Sequence, residues 1–257
     1  MSYAIDERNP ERLQLLNTLL EPPTREILAR LPPMSGRRVL DLGAGQGNTT
    51  RCLADVLQPA ECIGVEFDQA LVDYAQTRPD NQPGVRFQQG DATQLPFPDA
   101  SFDVVFFRYL LIHMREPVRL VREMLRVVRP GGFAVAFEGD FMQDTKSEPP
   151  CAALSTLHRA WRGLFPYPQG GARLVHTFRE AGAGTIEAGS WTMLEHRDTL
   201  LRRVYRLSAE ATGPLAAARG ILTEAEVREM IEALIRLEED PDSVAIMFPA
   251  AWVIATR

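Results

Sequence analysis

Val39-Leu40-Asp41-Leu42-Gly43-Ala44-Gly45-Gln46-Gly47 decides how this chain folds. The apolar residues around Asp41 read as the end of a strand. Three glycines then alternate through a tight loop, and Asn48-Thr49-Thr50-Arg51-Cys52-Leu53-Ala54 opens a helix. Positions without a Cβ let a ligand lie on the backbone, and the amides at a helix start meet that ligand's polar tail. The spacing separates ligand classes. A dinucleotide fingerprint is G-x-G-x-x-G, with the third glycine letting the helix pack beneath a pyrophosphate. Here Asn48 holds that third position and the order is G-x-G-x-G. Asp41, two residues before the first glycine, suits a cationic ligand and repels a diphosphate. Taken alone, the loop is also compatible with an ordinary strand-to-helix turn, so the flanking segments matter.

Working outward, Ile63-Gly64-Val65-Glu66 is a second apolar run ending in an acid, 19 residues past Gly47. In an open α/β sheet an acid at this place accepts from ribose hydroxyls. The alternative, that Glu66 caps the next helix, is better filled by Asp68. Val85-Arg86-Phe87-Gln88-Gln89 alternates like a strand and leads into Gly90-Asp91-Ala92-Thr93. Ser101 to Phe107 reads as a fourth, buried strand, and Arg126 to Phe133 as a helix end, a turn and a fifth strand. Strand and helix therefore alternate over residues 36–138, which predicts a parallel sheet covered on both faces. Ligands then sit beyond the carboxyl ends of the strands.

In order and spacing, residues 36–140 resemble the class I S-adenosylmethionine-dependent methyltransferases of the small-molecule type. The resemblance implies an α/β fold with a seven-stranded, mostly parallel Rossmann-like sheet, its last strand antiparallel beside the fifth, with helices on both faces and helical lid insertions. It implies S-adenosylmethionine as cofactor and S-adenosylhomocysteine as product. Asp41, Gly43, Ala44, Gly45 and Gly47 would then hold the amino-acid end and the sulfonium, and Glu66 the ribose. Phe67 would pack on the adenine, Asp91 take the adenine amino group, the Ala92 amide meet a ring nitrogen, and Thr93 complete that loop. Arg108 would reach the cofactor carboxylate or a polar substrate. Tyr3 and Arg12, from an N-terminal arm, would touch cofactor or acceptor if the arm folds over the site; a packing arm with a solvated Arg is the alternative.

Methyl transfer from a sulfonium is an in-line displacement, so the protein mainly orients the partners and keeps the site dry. A phenol or alcohol also needs to lose a proton. His113 follows the fourth strand and has an ordinary pKa suited to a base at neutral pH; a backbone-bonded loop His is the alternative. Tyr109 is a candidate to orient the acceptor or to pack on the cofactor, with a structural aromatic as the alternative. Glu138 and Asp140 flank Gly139 past the fifth strand, as bases, as a cation-binding pair or as helix caps. A hard divalent ion would need a third oxygen ligand, which the sequence does not place, so no metal is expected. His158, Trp161, Tyr167, His176, Trp191 and Met193 are candidates for the acceptor pocket, with core packing as the plainer reading.

The 257 residues fit one domain. It is divided into an arm (1–35), the cofactor core (36–140) and two lid insertions (141–168 and 196–240). In the arm, one helix is expected from Glu11 to Leu20, stopped by Pro22-Pro23, and a second from Thr24 to Leu31. A sixth strand is expected over Thr185–Leu194 and a last one over Ala245–Thr256. The net charge of -6, with no long basic run, disfavours a nucleic-acid partner. The segment after strand four, Phe107-Arg108-Tyr109-Leu110, also lacks the Pro-Pro turn of amino-methylating DNA enzymes. Three cysteines without metal or redox spacing fit a reducing compartment. The longest apolar run is too short to span a bilayer, and a charged N-terminus is no signal core. The expectation is a cytoplasmic enzyme acting on a small-molecule acceptor, with no nucleic acid, no membrane and a homodimer possible. Competing readings are a protein of this fold that steers a cyclisation or rearrangement, a non-catalytic cofactor binder, and an NAD-dependent oxidoreductase, the last disfavoured by the glycine spacing.

Overall fold

The computed structural model describes residues 10–80, 82–196 and 199–257. An N-terminal helix α1 (Pro10–Leu28) precedes the alternating core. That core comprises β1 (Arg38–Leu42), α2 (Asn48–Leu57), β2 (Glu61–Glu66), α3 (Gln69–Thr77), β3 (Val85–Gln89), β4 (Phe102–Arg108), α4 (Pro117–Val127) and β5 (Val128–Gly139). The second half adds β6 (Lys146–Glu148), α5 (Ala152–Leu164), α6 (Gly170–Ala181), β7 (Ile186–Trp191) and β8 (Leu194–Glu195). It ends with α7 (Leu200–Ala218), α8 (Glu224–Glu239), β9 (Val244–Ile246) and β10 (Ala250–Thr256).

The main sheet has seven strands in the order β3-β2-β1-β4-β5-β10-β7. Strands β1 to β5 run parallel, and β10 runs antiparallel to both β5 and β7. Central strands β1 and β4 are covered on both faces, which is why they read as near-continuous apolar runs. One face packs against α1, α2, α5, α7 and α8, the other against α4 and α6. Helix α4 starts at Pro117, whose fixed φ suits a first turn. It buries Leu120, Val121, Met124 and Leu125 and leaves Arg119 and Arg122 wet. Helix α6 lies so close to the end of β5 that a Cβ on Gly171 would come within 2.7 Å of the Asp140 amide nitrogen. Strand order reverses between β1 and β4, which opens a crevice at their carboxyl ends.

Three expectations are corrected. The arm is one helix, with Pro22 and Pro23 inside it. Each proline costs a helix about 3 kcal/mol. Leu19, Leu20, Ile27 and Leu28 are all buried beneath the same helix, and burial of such side chains is worth roughly 1.5–3 kcal/mol each. Packing therefore carries the helix through the prolines. The expected last strand divides: Val244–Ile246 joins a separate three-stranded sheet, β6-β9-β8, while Ala250–Thr256 joins the main sheet. Pro249, with no N–H to offer a ladder, lies at the division. The expected sixth strand divides the same way, into β7 and β8. Among the described residues no helix is long and apolar enough to cross a membrane.

Candidate functional site

The glycine loop crosses from the end of β1 to α2, and its three glycines serve different ends. A Cβ on Gly43 would meet Leu110 Cδ1 at 2.8 Å, and one on Gly47 would meet Arg51 Nη1 at 2.4 Å and Phe87 Cζ at 2.5 Å. Both positions are bare because the protein itself packs there. At Gly45 (φ +52°) a Cβ would have nothing within 4 Å, and the residue borders the cavity described below. The outer side of the loop is clamped by two arginines. Arg51 donates to Gln46 O at 3.1 Å and Ala75 O at 2.7 Å, and Arg78 donates to the side chain of Asn48. A loop held from behind presents its amides without first having to be ordered.

Glu66 ends β2 and faces this loop. One carboxylate oxygen accepts from the Gly45 amide at 2.9 Å, and the other from the Phe67 and Asp68 amides at 2.7 and 3.0 Å. Asp68, not Glu66, caps α3, by accepting from the Ala70 amide. Asp41 sits elsewhere than expected. It is 1% exposed and lies outside the cavity wall, accepting from the Thr50 hydroxyl at 2.7 Å. Burial raises its pKa to about 7, so near neutrality the field it was expected to offer a cation is weakened. Thr50 was not singled out from the sequence, where nothing distinguishes it from Thr49. Beside the loop, Gly43, Val65, Phe67, Asp91, Ala92, Leu110 and Met114 line a narrow cleft. Asp91 accepts from both the amide and the hydroxyl of Thr93, at 2.8 and 2.7 Å.

Beyond β4 the chain turns sharply, with Tyr109 in the left-handed region at φ +52°. A non-glycine residue is held there only when its surroundings impose it. The Tyr109 ring packs edge-on to Phe137 and Phe141, and a Cβ on Gly139 would come within 2.8 Å of its Cε1. Burial drives the Tyr109 hydroxyl pKa well above its ordinary value. Arg108 points to the arm, donating to Asn17 Oδ1 at 2.8 Å and Thr24 Oγ1 at 3.2 Å, and so fastens α1 over the crevice. A 3-10 turn, Leu111–His113, follows. His113 borders the cavity, edge-on to Phe165 at 5.4 Å between ring centroids. Burial, with the charge of Arg12 added, lowers its pKa to about 4. The expectation of an imidazole poised near neutrality is thus corrected: His113 is neutral at pH 7 and a weak base.

Glu138 is corrected as well. It is fully buried and lies outside the cavity wall, accepting from the Leu111 amide at 2.6 Å and the Gly139 amide at 3.0 Å. It therefore fastens the turn that carries His113, and burial raises its pKa to about 8. Asp140 accepts from the Met142 amide at 3.2 Å and is also outside the wall. Among the described residues no group of acids, histidines or cysteines is arranged to hold a metal.

The cavity, of about 160 Å³, runs from the glycine loop to the second-half helices. Helix α1 contributes Arg12, Leu13, Leu16 and Asn17, α5 contributes Trp161, and α7 contributes Leu201, Val204, Tyr205 and Ser208. Phe141, Phe165 and Phe248 complete the aromatic wall. Of the acceptor-pocket candidates only Trp161 lies in it. His158 is buried behind, its Nε2 3.2 Å from Thr145 Oγ1, which in turn donates to Tyr205 Oη at 2.6 Å. Tyr167 bonds toward Thr177, His176 pairs with Glu180 on the surface, Trp191 packs on Phe137, and Met193 is outside the wall. Tyr3 lies outside the described residues. Phe165, Tyr205 and Phe248 went unseen in the sequence because they sit in irregular or amphipathic segments where core packing predicts the same residue types.

Residues 40–136 match a family model described as a methyltransferase domain. The chain is 42% identical over 97 residues to an uncharacterized methyltransferase, YcgJ, of Bacillus subtilis, covering 37% of this chain and 38% of that one. It is 36% identical over 144 residues to a demethylmenaquinone methyltransferase of Beutenbergia cavernae, covering 56% and 55%. To the O-methyltransferase cnsE of Penicillium expansum it is 33% identical over 170 residues, covering 64% and 58%. The matches thus span from 38% to 58% of these relatives' lengths. In three dimensions the crystal structure of Bacillus YcgJ superposes with a TM-score of 0.64 at 21% identity, over 91% of this chain and 97% of that one. At that identity the likeness speaks for the fold.

Proposed function

We propose, on the premise that residues 40–136 are a domain of the methyltransferase family, that this chain transfers the methyl group of S-adenosylmethionine to a small-molecule nucleophile. The observation that carries the reading is Gly45: a bare position open to the cavity, its amide bonded at 2.9 Å to the acid that ends β2. This joins the two elements that such a cofactor needs, a backbone surface for the amino-acid end and a carboxylate for the ribose. When bound, S-adenosylmethionine supplies a methyl carbon on a sulfonium, open to a nucleophile on the side opposite the sulfur.

The residues of this chain divide the remaining work. Gly43, Ala44 and Gly45 seat the amino-acid end, with Gly47 and Asp41 holding the loop's shape from behind. Glu66 takes the ribose. Phe67, Asp91, Ala92 and Thr93, in the cleft beside the loop, take the adenine. Arg108 keeps α1 closed over the crevice, and the α5, α7 and α8 layer acts as a lid that excludes water. Tyr109 and His113 face the acceptor. His113, neutral at pH 7, accepts a hydrogen bond from the nucleophile more readily than it carries its proton away. Enclosure by α1, α5 and α7 favours a small acceptor over a macromolecule. One relative, by its name, acts on demethylmenaquinone.

Calorimetric titration tests the reading. S-adenosylmethionine and S-adenosylhomocysteine are expected to bind and NADH is not. Glu66→Ala is expected to weaken both by about 1.5–3 kcal/mol, the worth of hydrogen bonds to a charged group. NADH binding in place of the sulfonium cofactor would overturn the reading, and an unchanged affinity in the variant would remove Glu66 from the site.

A further inference from the structure

The acceptor end of the cavity carries polar atoms with no part in holding a cofactor. Trp161 is 4% exposed and borders the cavity, yet its indole N–H has no hydrogen-bond partner. The hydroxyl of Tyr109, in the same wall, likewise has none. Buried donors left unpaired are costly, and a native protein keeps them where something else completes them. The strained backbone at Tyr109 (φ +52°) and the bare Gly139 beside its ring hold that phenol in place. The surrounding wall is aromatic: Phe141 stands 4.8 Å from Phe248, 5.1 Å from Phe165 and 5.3 Å from Trp161 between ring centroids.

Resting on the function proposed above, we infer that the methyl acceptor is a flat, mostly apolar phenol or enol. Its ring lies against Phe141, Phe165 and Phe248, and its oxygen accepts a hydrogen bond from Trp161 Nε1. The argument is one of lone pairs. An indole N–H only donates, so it needs an acceptor atom. A phenol or enol oxygen has two lone pairs, one for the indole and one for attack. A neutral amine has one, which cannot serve both purposes, and an ammonium has none. Flat rings suit the aromatic wall by edge and offset contact.

The test is a fluorescence titration of the S-adenosylhomocysteine-loaded protein with 2-naphthol, 2-naphthylamine and the saturated decahydro-2-naphthol. 2-Naphthol is expected to bind at least ten-fold more tightly than either of the others. Trp161→Phe, which keeps a ring and deletes the N–H, is expected to erase the preference over the amine while leaving S-adenosylhomocysteine affinity unchanged. Equal or tighter binding of the amine, absence of naphthol binding, or a folded Trp161→Phe variant that keeps the preference would each overturn the inference. If that variant does not fold, the comparison of the three probes on the wild-type chain decides alone. The two readings fail separately. A chain that binds S-adenosylhomocysteine but ignores the hydroxyl sinks only the acceptor class. A chain that prefers naphthol but binds no S-adenosylhomocysteine sinks the cofactor.

Discussion

Gly45 and Gly47 look alike in sequence, two bare positions in one alternating loop, but they answer to different neighbours. A side chain at Gly45 enters open cavity, whereas one at Gly47 strikes Arg51 and Phe87. Gly45→Val is therefore expected to abolish S-adenosylmethionine binding in calorimetry with only the strain of positive φ, about 1–2 kcal/mol, taken from stability. Gly47→Ala carries the same strain (φ +81°) with overpacking added, and is expected to lose about 2–5 kcal/mol in urea denaturation. Equal stability losses at the two sites would contradict this division. His113 makes the complementary point. Its type suggested a base near neutrality, but its surroundings lower its pKa to about 4. If its protonation limits turnover, the acid limb of the pH profile is expected near pH 4, and it should vanish in His113→Ala. A limb near pH 6.5 that the variant removes would show an imidazole in ordinary surroundings.

At the level of elements, the turn after β4 is held by a carboxyl group from the end of β5. The sequence placed Glu138 at the rim of the site, and the rim is where its backbone is; its side chain instead points beneath the Leu111–His113 turn. The unfolded chain releases the Glu138 proton near 4.5 and the folded chain near 8. Between those values the folded state binds the proton that the unfolded state has lost, so this group's stabilising contribution is full below about 4.5 and fades as pH rises through 8. Glu138→Gln is expected to flatten that decline in melting temperature measured from pH 5 to 8. A slope identical to wild type would remove Glu138 from the account. The arm shows the opposite failure of local reading. Pro22-Pro23 is a strong local stop signal, but the buried stripe of α1 and the bonds from Arg108 to Asn17 and Thr24 keep one helix intact over the crevice.

Across the whole molecule, the second-half helices are tied down by a buried charge pair that no local pattern announced. Arg202 on α7 donates to Glu195 at 3.0 Å and to the Asp240 carbonyl at 2.7 Å, with Arg202 only 2% and Glu195 only 3% exposed. The pair joins α7, which lines the cavity, to β8 and the loop after α8. Removing one partner leaves a buried, uncompensated charge, so Arg202→Met is expected to cost about 3–5 kcal/mol in denaturant unfolding. A loss below about 1 kcal/mol would show that the pair is solvated.

The order of elements, the parallel sheet and the crevice beside the glycine loop were legible in residues 36–140, because period, turn chemistry and strand-end acids are local properties that survive any packing. The direction in which a side chain points at a strand end is not local. Asp41, Glu138 and His113 were each assigned by position, and tertiary burial then decided which faced the cavity and which protons each would hold. The aromatic wall came from tertiary structure alone. Trp161, Tyr205 and Phe248 are far apart in the chain, and only the docking of α5, α7 and the segment before β10 over one sheet edge brings them to a common surface.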